Sequence, residues 1–361
     1  MKPTQQLHNL GQSIWLDNIS RSMLTDGTLQ RYKGEFTVTG LTSNPTIFDQ
    51  AIKEGRDYDA AIRQKTAEGK SGEALFFELA LEDLIVAADI FRPIHDHTHG
   101  VDGWVSLEVS PLLANDAVGT VSAAKALHGR AQRPNLFIKI PGTPEGIAAI
   151  EGAIFAGIPV NVTLLFSADQ YVGVAEAYLR GIERRIAAGR DPRVGSVASI
   201  FVSRWDTAVK DKVPERLRNR LGIAHAKLAY KAYREMLGSS RWQSLAVAGA
   251  QPQRLLWAST GTKDPDVRDT LYIEALAAPD TVNTVPDRTL RAFADHGELT
   301  GTLPVDGGDA EATLVEFSRA GVDSAALAVR LQRDGAESFA RSWQDLLDRI
   351  ARAQTSPIPA D

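Results

Sequence analysis

Residues 136–141 read Leu136-Phe137-Ile138-Lys139-Ile140-Pro141. Successive side chains of a strand point to opposite faces, so Leu136, Ile138 and Ile140 form one apolar set and Phe137 and Lys139 the other. A run this short and apolar suits a strand covered on both faces, where a lysine is out of place. Taken alone, such a lysine usually sits at a sheet edge or reaches out to water. Neighbouring runs decide whether this one is an accident.

They repeat the pattern. In Val105-Ser106-Leu107-Glu108-Val109-Ser110 the apolar set leaves Ser106, Glu108 and Ser110 on the other face. Ile14 and Leu16 leave Trp15 and Asp17; Leu41 leaves Thr42 and Asn44; Val160, Val162 and Leu164 leave Asn161 and Thr163. Ser199, Phe201 and Ser203 share one phase of a sixth run. Polar groups are a costly way to fill a core, so six such runs point to one enclosed polar space.

The apolar runs number eight, at Ser13 to Asn18, Gly40 to Asn44, Gly103 to Ser110, Leu136 to Pro141, Pro159 to Phe166, Val197 to Ser203, Arg254 to Thr260 and Thr281 to Val285. Between them lie stretches of helical periodicity, among them Gly72 to Arg92, Asn115 to Gln132, Ala168 to Ala188, Pro214 to Leu237 and Asp264 to Leu276. Strands joined by helices make a parallel sheet, and eight of them suggest closure into an (α/β)8 TIM barrel. We expect residues 1–361 to form one elaborated barrel domain. Additional helices over about 287–354 should pack on its wall or over its mouth, with a frayed tail at 355–361.

Composition narrows the chemistry. The chain has 361 residues, a formal net charge of -5 and no cysteine, which excludes disulfides, zinc-thiolate and iron-sulfur sites and a cysteine nucleophile. Without a basic stripe, nucleic acid and anionic lipid are not expected partners. No run of eighteen apolar residues occurs, so no membrane span is expected and the cytoplasm is the expected location. His95-Asp96-His97-Thr98-His99 resembles a metal tract but should lie in a loop at the N-terminal, non-catalytic face, and we expect no metal and no cofactor. Gly301, Gly307 and Gly308 form no nucleotide fingerprint, and neither Ser199 nor Ser203 has an adjacent histidine base.

A lysine ammonium inside a barrel is disfavoured unless paired or neutralised, so burial should depress the pKa of Lys139 and supply a nucleophilic amine. Asp17 and Glu108 share its space. An amine that attacks a ketone, an acid that expels water from the carbinolamine and a base that takes a hydroxyl proton make up iminium-based carbon–carbon cleavage.

Four segments carry a family resemblance: Leu16-Asp17-Asn18, Thr42-Ser43-Asn44-Pro45-Thr46, Asn135 to Thr143 with Glu145-Gly146, and Asn161-Val162-Thr163-Leu164-Leu165-Phe166-Ser167. Together they resemble the transaldolases, in order, from about Trp15 to Lys263. That family is a cofactor-independent barrel of class I aldolase type, which moves a dihydroxyacetone unit between sugar phosphates in the non-oxidative pentose phosphate pathway. The resemblance implies Lys139 as the Schiff-base lysine, Asp17 as base for the C4 hydroxyl, Glu108 as acid/base acting through a water, and Thr163 as the holder of that water. It implies Asn44 and Asn161 as ligands of the dihydroxyacetone hydroxyls, and Ser199, Arg204 and Ser259 as phosphate ligands.

One position departs from the family. An arginine is usual shortly after the Ala-Ser pair of the seventh strand, and here Ala258-Ser259-Thr260-Gly261-Thr262-Lys263 offers Lys263, a point charge in place of a bidentate fork. Two other functions stay open at this stage: a fructose 6-phosphate aldolase, which releases free dihydroxyacetone, and a sugar-phosphate-binding protein without catalysis. Both a monomer and a homodimer remain compatible with the sequence.

Overall fold

The computed structural model describes residues 1–54 and 56–355. Eight parallel strands close on themselves in sequence order: β1 (Ser13–Leu16), β2 (Val38–Leu41), β3 (Val105–Glu108), β4 (Leu136–Pro141), β5 (Val160–Leu165), β6 (Ser196–Phe201), β7 (Gln253–Ala258) and β8 (Val282–Val285). The fold is the expected (α/β)8 TIM barrel. No helix of the described residues is long and apolar enough to cross a membrane.

The alternation does what strand geometry demands. Ile14, Leu16, Ile138, Ile140, Val160 and Val162 join the large core between strands and helices, whereas Trp15, Phe137, Val197, Leu256 and Val282 form a second apolar cluster inside the barrel. Trp104 stacks on Phe137 at 3.9 Å between centroids, and Trp15 lies 6.1 Å from Phe137. These rings make an apolar floor directly below Lys139. Closing the barrel around it needs Gly40, where a Cβ would stand 2.5 Å from the Trp104 carbonyl oxygen and 2.8 Å from Trp15 Nε1.

Strand β5 departs from strict alternation. Its register against β6 shifts between Val162 and Leu165, and Leu164 takes a left-handed φ of 62°. The extra residue turns Leu164 away from the outer core into the interior cluster beneath the last helix, correcting its expected outward place, while Leu165 takes the outer position. The histidine tract differs too. The helix Gly72–His97 runs through Pro93, so His95 and His97 occupy its last turn rather than a loop. The segment expected to be helical over Asp264 to Leu276 is helical only at Leu271–Ala275, because Asp264 is held by Lys210 and Asn219 and its carboxylate accepts from the Asp266 amide in a turn.

The C-terminal region forms helices Asp287–His296, Ala310–Arg319 and Ser324–Thr355. The last packs on the helix Pro45–Glu54 and reaches β5, crossing the C-terminal mouth of the barrel. Thr355 closes that helix, and the remainder of the expected tail, 356–361, lies outside the described residues.

Candidate active site

Parallel register sets the site. Glu108 pairs with Lys139 and Lys139 with Asn161, so three adjacent strands deliver these side chains in one row above the aromatic floor. Thr163 stands one row higher, paired with Pro141. Lys139 Nζ lies 3.3 Å from Glu108 Oε2, with the two side chains 6% and 3% exposed, and donates to the Ser43 carbonyl oxygen at 3.2 Å. The approach to Glu108 is close enough for charge attraction, yet neither Glu108 oxygen has an aligned hydrogen-bond partner among the described residues, and neither does Thr163 Oγ1.

Burial raises Glu108 above the ordinary glutamate range against the opposing Lys139 charge. Asp17, just past β1, is likewise raised first by burial, with Lys139, Thr42 and Arg204 pulling the other way. Thr42 Oγ1 donates to Asp17 Oδ1 at 2.9 Å and stands 2.7 Å from the Thr284 hydroxyl, so strands β2 and β8 fix the carboxylate's direction. An acid whose pKa is raised by burial holds a proton more readily than one in water, which suits it to proton exchange with a neighbouring amine.

Above this row opens a cavity of about 220 Å³, lined by Asp17, Asn44, Lys139, Thr163, Ser199 and Arg204, with Ser259 and Phe339 at its rim. Asn44 Oδ1 accepts from the Ile47 amide at 3.0 Å, capping the helix Pro45–Glu54; the cap orients the side chain, whose amide donors meet no acceptor among the described residues. Asn161 is fully buried, donating to Ser106 Oγ at 3.1 Å and accepting from Ser199 Oγ at 2.7 Å. Arg204 sits in the first turn of the helix Ser203–Val209, beyond β6 at the mouth. Ser259 adopts a left-handed φ of 56°, and its hydroxyl meets that of Ser203 at 2.9 Å.

Of the described residues lining the cavity, Asp17 is the carboxylate and Lys139 and Arg204 the cations. Two cations facing one acid suit an anionic ligand better than a metal ion. Lys263 is exposed over the residue as a whole and does not line the cavity, although partial desolvation and then the Arg204 charge lower its pKa. The structure thus gathers Asp17, Asn44, Lys139, Thr163, Ser199, Arg204 and Ser259 around one space, sets Glu108 and Asn161 directly behind it, and leaves Lys263 at the edge. His95 lies at the opposite end of the barrel, edge-on to Trp104.

Sequence reasoning missed Thr284, Phe339 and the apolar wall of Leu256 and Ala258. Thr284 was within reach, because it shares the inward phase of β8 with Val282. Phe339 was not, since helical periodicity does not say which face of a distant helix meets the mouth.

Residues 14–350 match the family model described as transaldolase/fructose-6-phosphate aldolase, extending well beyond the segments that carry the resemblance. A protein named transaldolase from Thermobifida fusca (strain YX) is 47% identical over 359 residues, covering 97% of this chain and 98% of the relative. A transaldolase of Parafrankia sp. (strain EAN1pec) is 46% identical, covering 97% of both. One from Thiobacillus denitrificans is 45% identical, covering 97% of this chain and 100% of the relative. This barrel, with a buried lysine 3.3 Å from a buried glutamate and matched along almost its whole length, belongs to the transaldolase/fructose-6-phosphate aldolase family.

Proposed function

We propose that the chain is a transaldolase, transferring a dihydroxyacetone unit from a ketose phosphate, sedoheptulose 7-phosphate or fructose 6-phosphate, to an aldose phosphate. The observation that carries this is the Lys139–Glu108 approach at 3.3 Å beneath a cavity with a cationic rim. Glu108, raised by burial, takes the ammonium proton and frees the amine in this reading. The amine adds to the C2 carbonyl; the carbinolamine oxygen leaves as water on receiving a proton from Glu108, relayed by a water held at Thr163. Both groups have hydrogen-bonding capacity unmet among the described residues. In the iminium, Asp17 takes the C4 hydroxyl proton, the C3–C4 bond breaks and its electrons pass to the iminium nitrogen, giving an enamine and a free aldose phosphate. The enamine then attacks the acceptor aldehyde, Asp17 returns its proton, and hydrolysis releases the new ketose.

Asn44 and Asn161 would hold the dihydroxyacetone hydroxyls, and Arg204, Ser199, Ser259 and Lys263 the phosphate. Ser199 donates to Asn161 here, so contact with a phosphate oxygen requires its hydroxyl to rotate. Every group comes from one chain, so a monomer and a homodimer serve equally. A cytoplasmic setting in the pentose phosphate pathway accords with phosphorylated substrates.

Product analysis tests the assignment. With fructose 6-phosphate alone, little free dihydroxyacetone should form; adding erythrose 4-phosphate should produce sedoheptulose 7-phosphate. Steady release of dihydroxyacetone without acceptor marks an aldolase instead, and no product under either condition marks a binding protein.

A further inference from the structure

One stripe of the helix Ser324–Thr355 packs on the barrel mouth, and its Phe339 lines the cavity. Gln332 Nε2 donates to the carbonyl oxygens of Gly142 at 2.9 Å and of the bulged Leu164 at 3.0 Å. Three residues on, Gly335 comes so close to the barrel that a Cβ would stand 2.9 Å from Leu164 Cδ2 and 3.1 Å from Arg204 Nη1. Four residues further, the Phe339 ring lies 5.7 Å from both Lys139 Nζ and the Arg204 guanidinium carbon. Phe201 offers Arg204 a second ring at 4.9 Å. Spacings of three and four put these residues on one helix face.

Arg204 is partly buried at the mouth, and among the described residues no carboxylate stands within ion-pair distance of it; Glu108 and Asp17 act on it only from further off. Ring faces attract a guanidinium without occupying its N–H donors, so the planar fork stays free for a bidentate anion. Glycine inside a helix weakens it relative to alanine. Here the missing side chain leaves the space that the guanidinium and the Leu164 methyl approach.

We propose that the C-terminal helix is part of the phosphate site: Gly335 supplies the clearance, and Phe339 the aromatic face, that hold Arg204 in position to bind the phosphate of a sugar phosphate. Neither residue touches the reacting carbons in this role; both are positioning residues for substrate recognition. The inference rests on Arg204 as the phosphate arm of the transaldolase site.

The test uses the full chain and compares wild type with Gly335→Ala and Phe339→Leu. The probes are fructose 6-phosphate, inorganic phosphate as competitor, and dihydroxyacetone with borohydride as a phosphate-free label of Lys139. Displacing one charge-assisted contact should raise the KM for fructose 6-phosphate and the inhibition constant of phosphate about tenfold in Gly335→Ala, with dihydroxyacetone labelling slowed less than about threefold. Its melting temperature should not fall, because alanine favours the helix and the atoms it meets are the ends of flexible side chains. Phe339→Leu keeps apolar bulk and loses the ring, and should move the same two constants in the same direction. Labelled wild type with both constants unchanged in both variants overturns the inference alone. A wild type that dihydroxyacetone does not label overturns the Schiff-base reading and the inference with it.

Discussion

The two ends of this barrel both bury charge, and they do so in opposite ways. At the N-terminal end Arg254, 7% exposed, donates to Ser13 Oγ at 2.9 Å and to the carbonyl oxygens of Thr281 and Val101 at 2.7 and 3.0 Å. Ser13 in turn donates to Asp102, which also receives Trp15 Nε1 at 2.8 Å and the Gly103 amide at 2.9 Å. Those donors and acceptors are paired within the chain. At the C-terminal end Lys139 and Glu108 are just as enclosed, yet both Glu108 oxygens and Thr163 Oγ1 lack hydrogen-bond partners among the described residues. Enclosed polarity is therefore common to a structural plug and a reactive site. What separates these two clusters is whether their own polar groups are satisfied by the fold; a missing partner alone does not mark a site, since Gln253 Oε1 and Asn135 Oδ1 at the N-terminal end also lack one among the described residues.

Substitutions at the two ends should fail in different ways. The largest effect belongs to the mouth: Asp17→Ala should still form the Schiff base but slow carbon–carbon cleavage about 10²- to 10⁴-fold, seen as adduct formation without matching product release. A variant that blocks adduct formation would break the assignment of Asp17 as base. The same carboxylate sets a pH limb. Burial raises its pKa above 3.8 and cleavage needs it ionised, so the rate should fall on acidification at a higher pH than a free aspartate would give. An acid limb at or below the usual aspartate range would contradict this.

At the plug, Arg254→Ala strands the partners of a buried charge and should cost about 3–5 kcal/mol of unfolding free energy by denaturant titration. Lys139 should remain reactive in whatever fraction stays folded. Loss of reactivity with undiminished stability would erase the contrast between the two ends. Back at the mouth, Arg204→Ala should raise the KM for phosphorylated sugars about ten- to a hundredfold, the share of a charge-assisted contact, and an unchanged KM would refute it as phosphate arm. The smallest change is expected for Lys263→Ala. An exposed ammonium that misses the cavity should move that KM only about two- to threefold.

The mouth was largely legible in the sequence because period-two alternation is strong wherever helices cover the outer face. Residues 136–141 form β4 with the expected limits, and Glu108, Lys139 and Asn161 fall in one row because parallel register aligns equal positions on neighbouring strands. Alternation breaks where the backbone does. Leu164 reads as outward, and only its left-handed φ turns it inward, a property that a leucine does not announce. The plug was less legible: Ser13 and Arg254 lie in strands, but Asp102 comes from the loop before β3, and nothing local ties it to Trp15. Gly335 and Phe339 were unreadable for a related reason. Their meaning lies in contacts with Arg204 and Lys139, more than a hundred positions away, and a helical stripe does not name its partner.

Borohydride reduction in the presence of fructose 6-phosphate, followed by peptide mass analysis, addresses the reactive lysine most directly. The account predicts one stable adduct, on the peptide bearing Lys139, that disappears in Lys139→Ala. No adduct on the native chain, or an adduct carried by another amine such as Lys263, would contradict it.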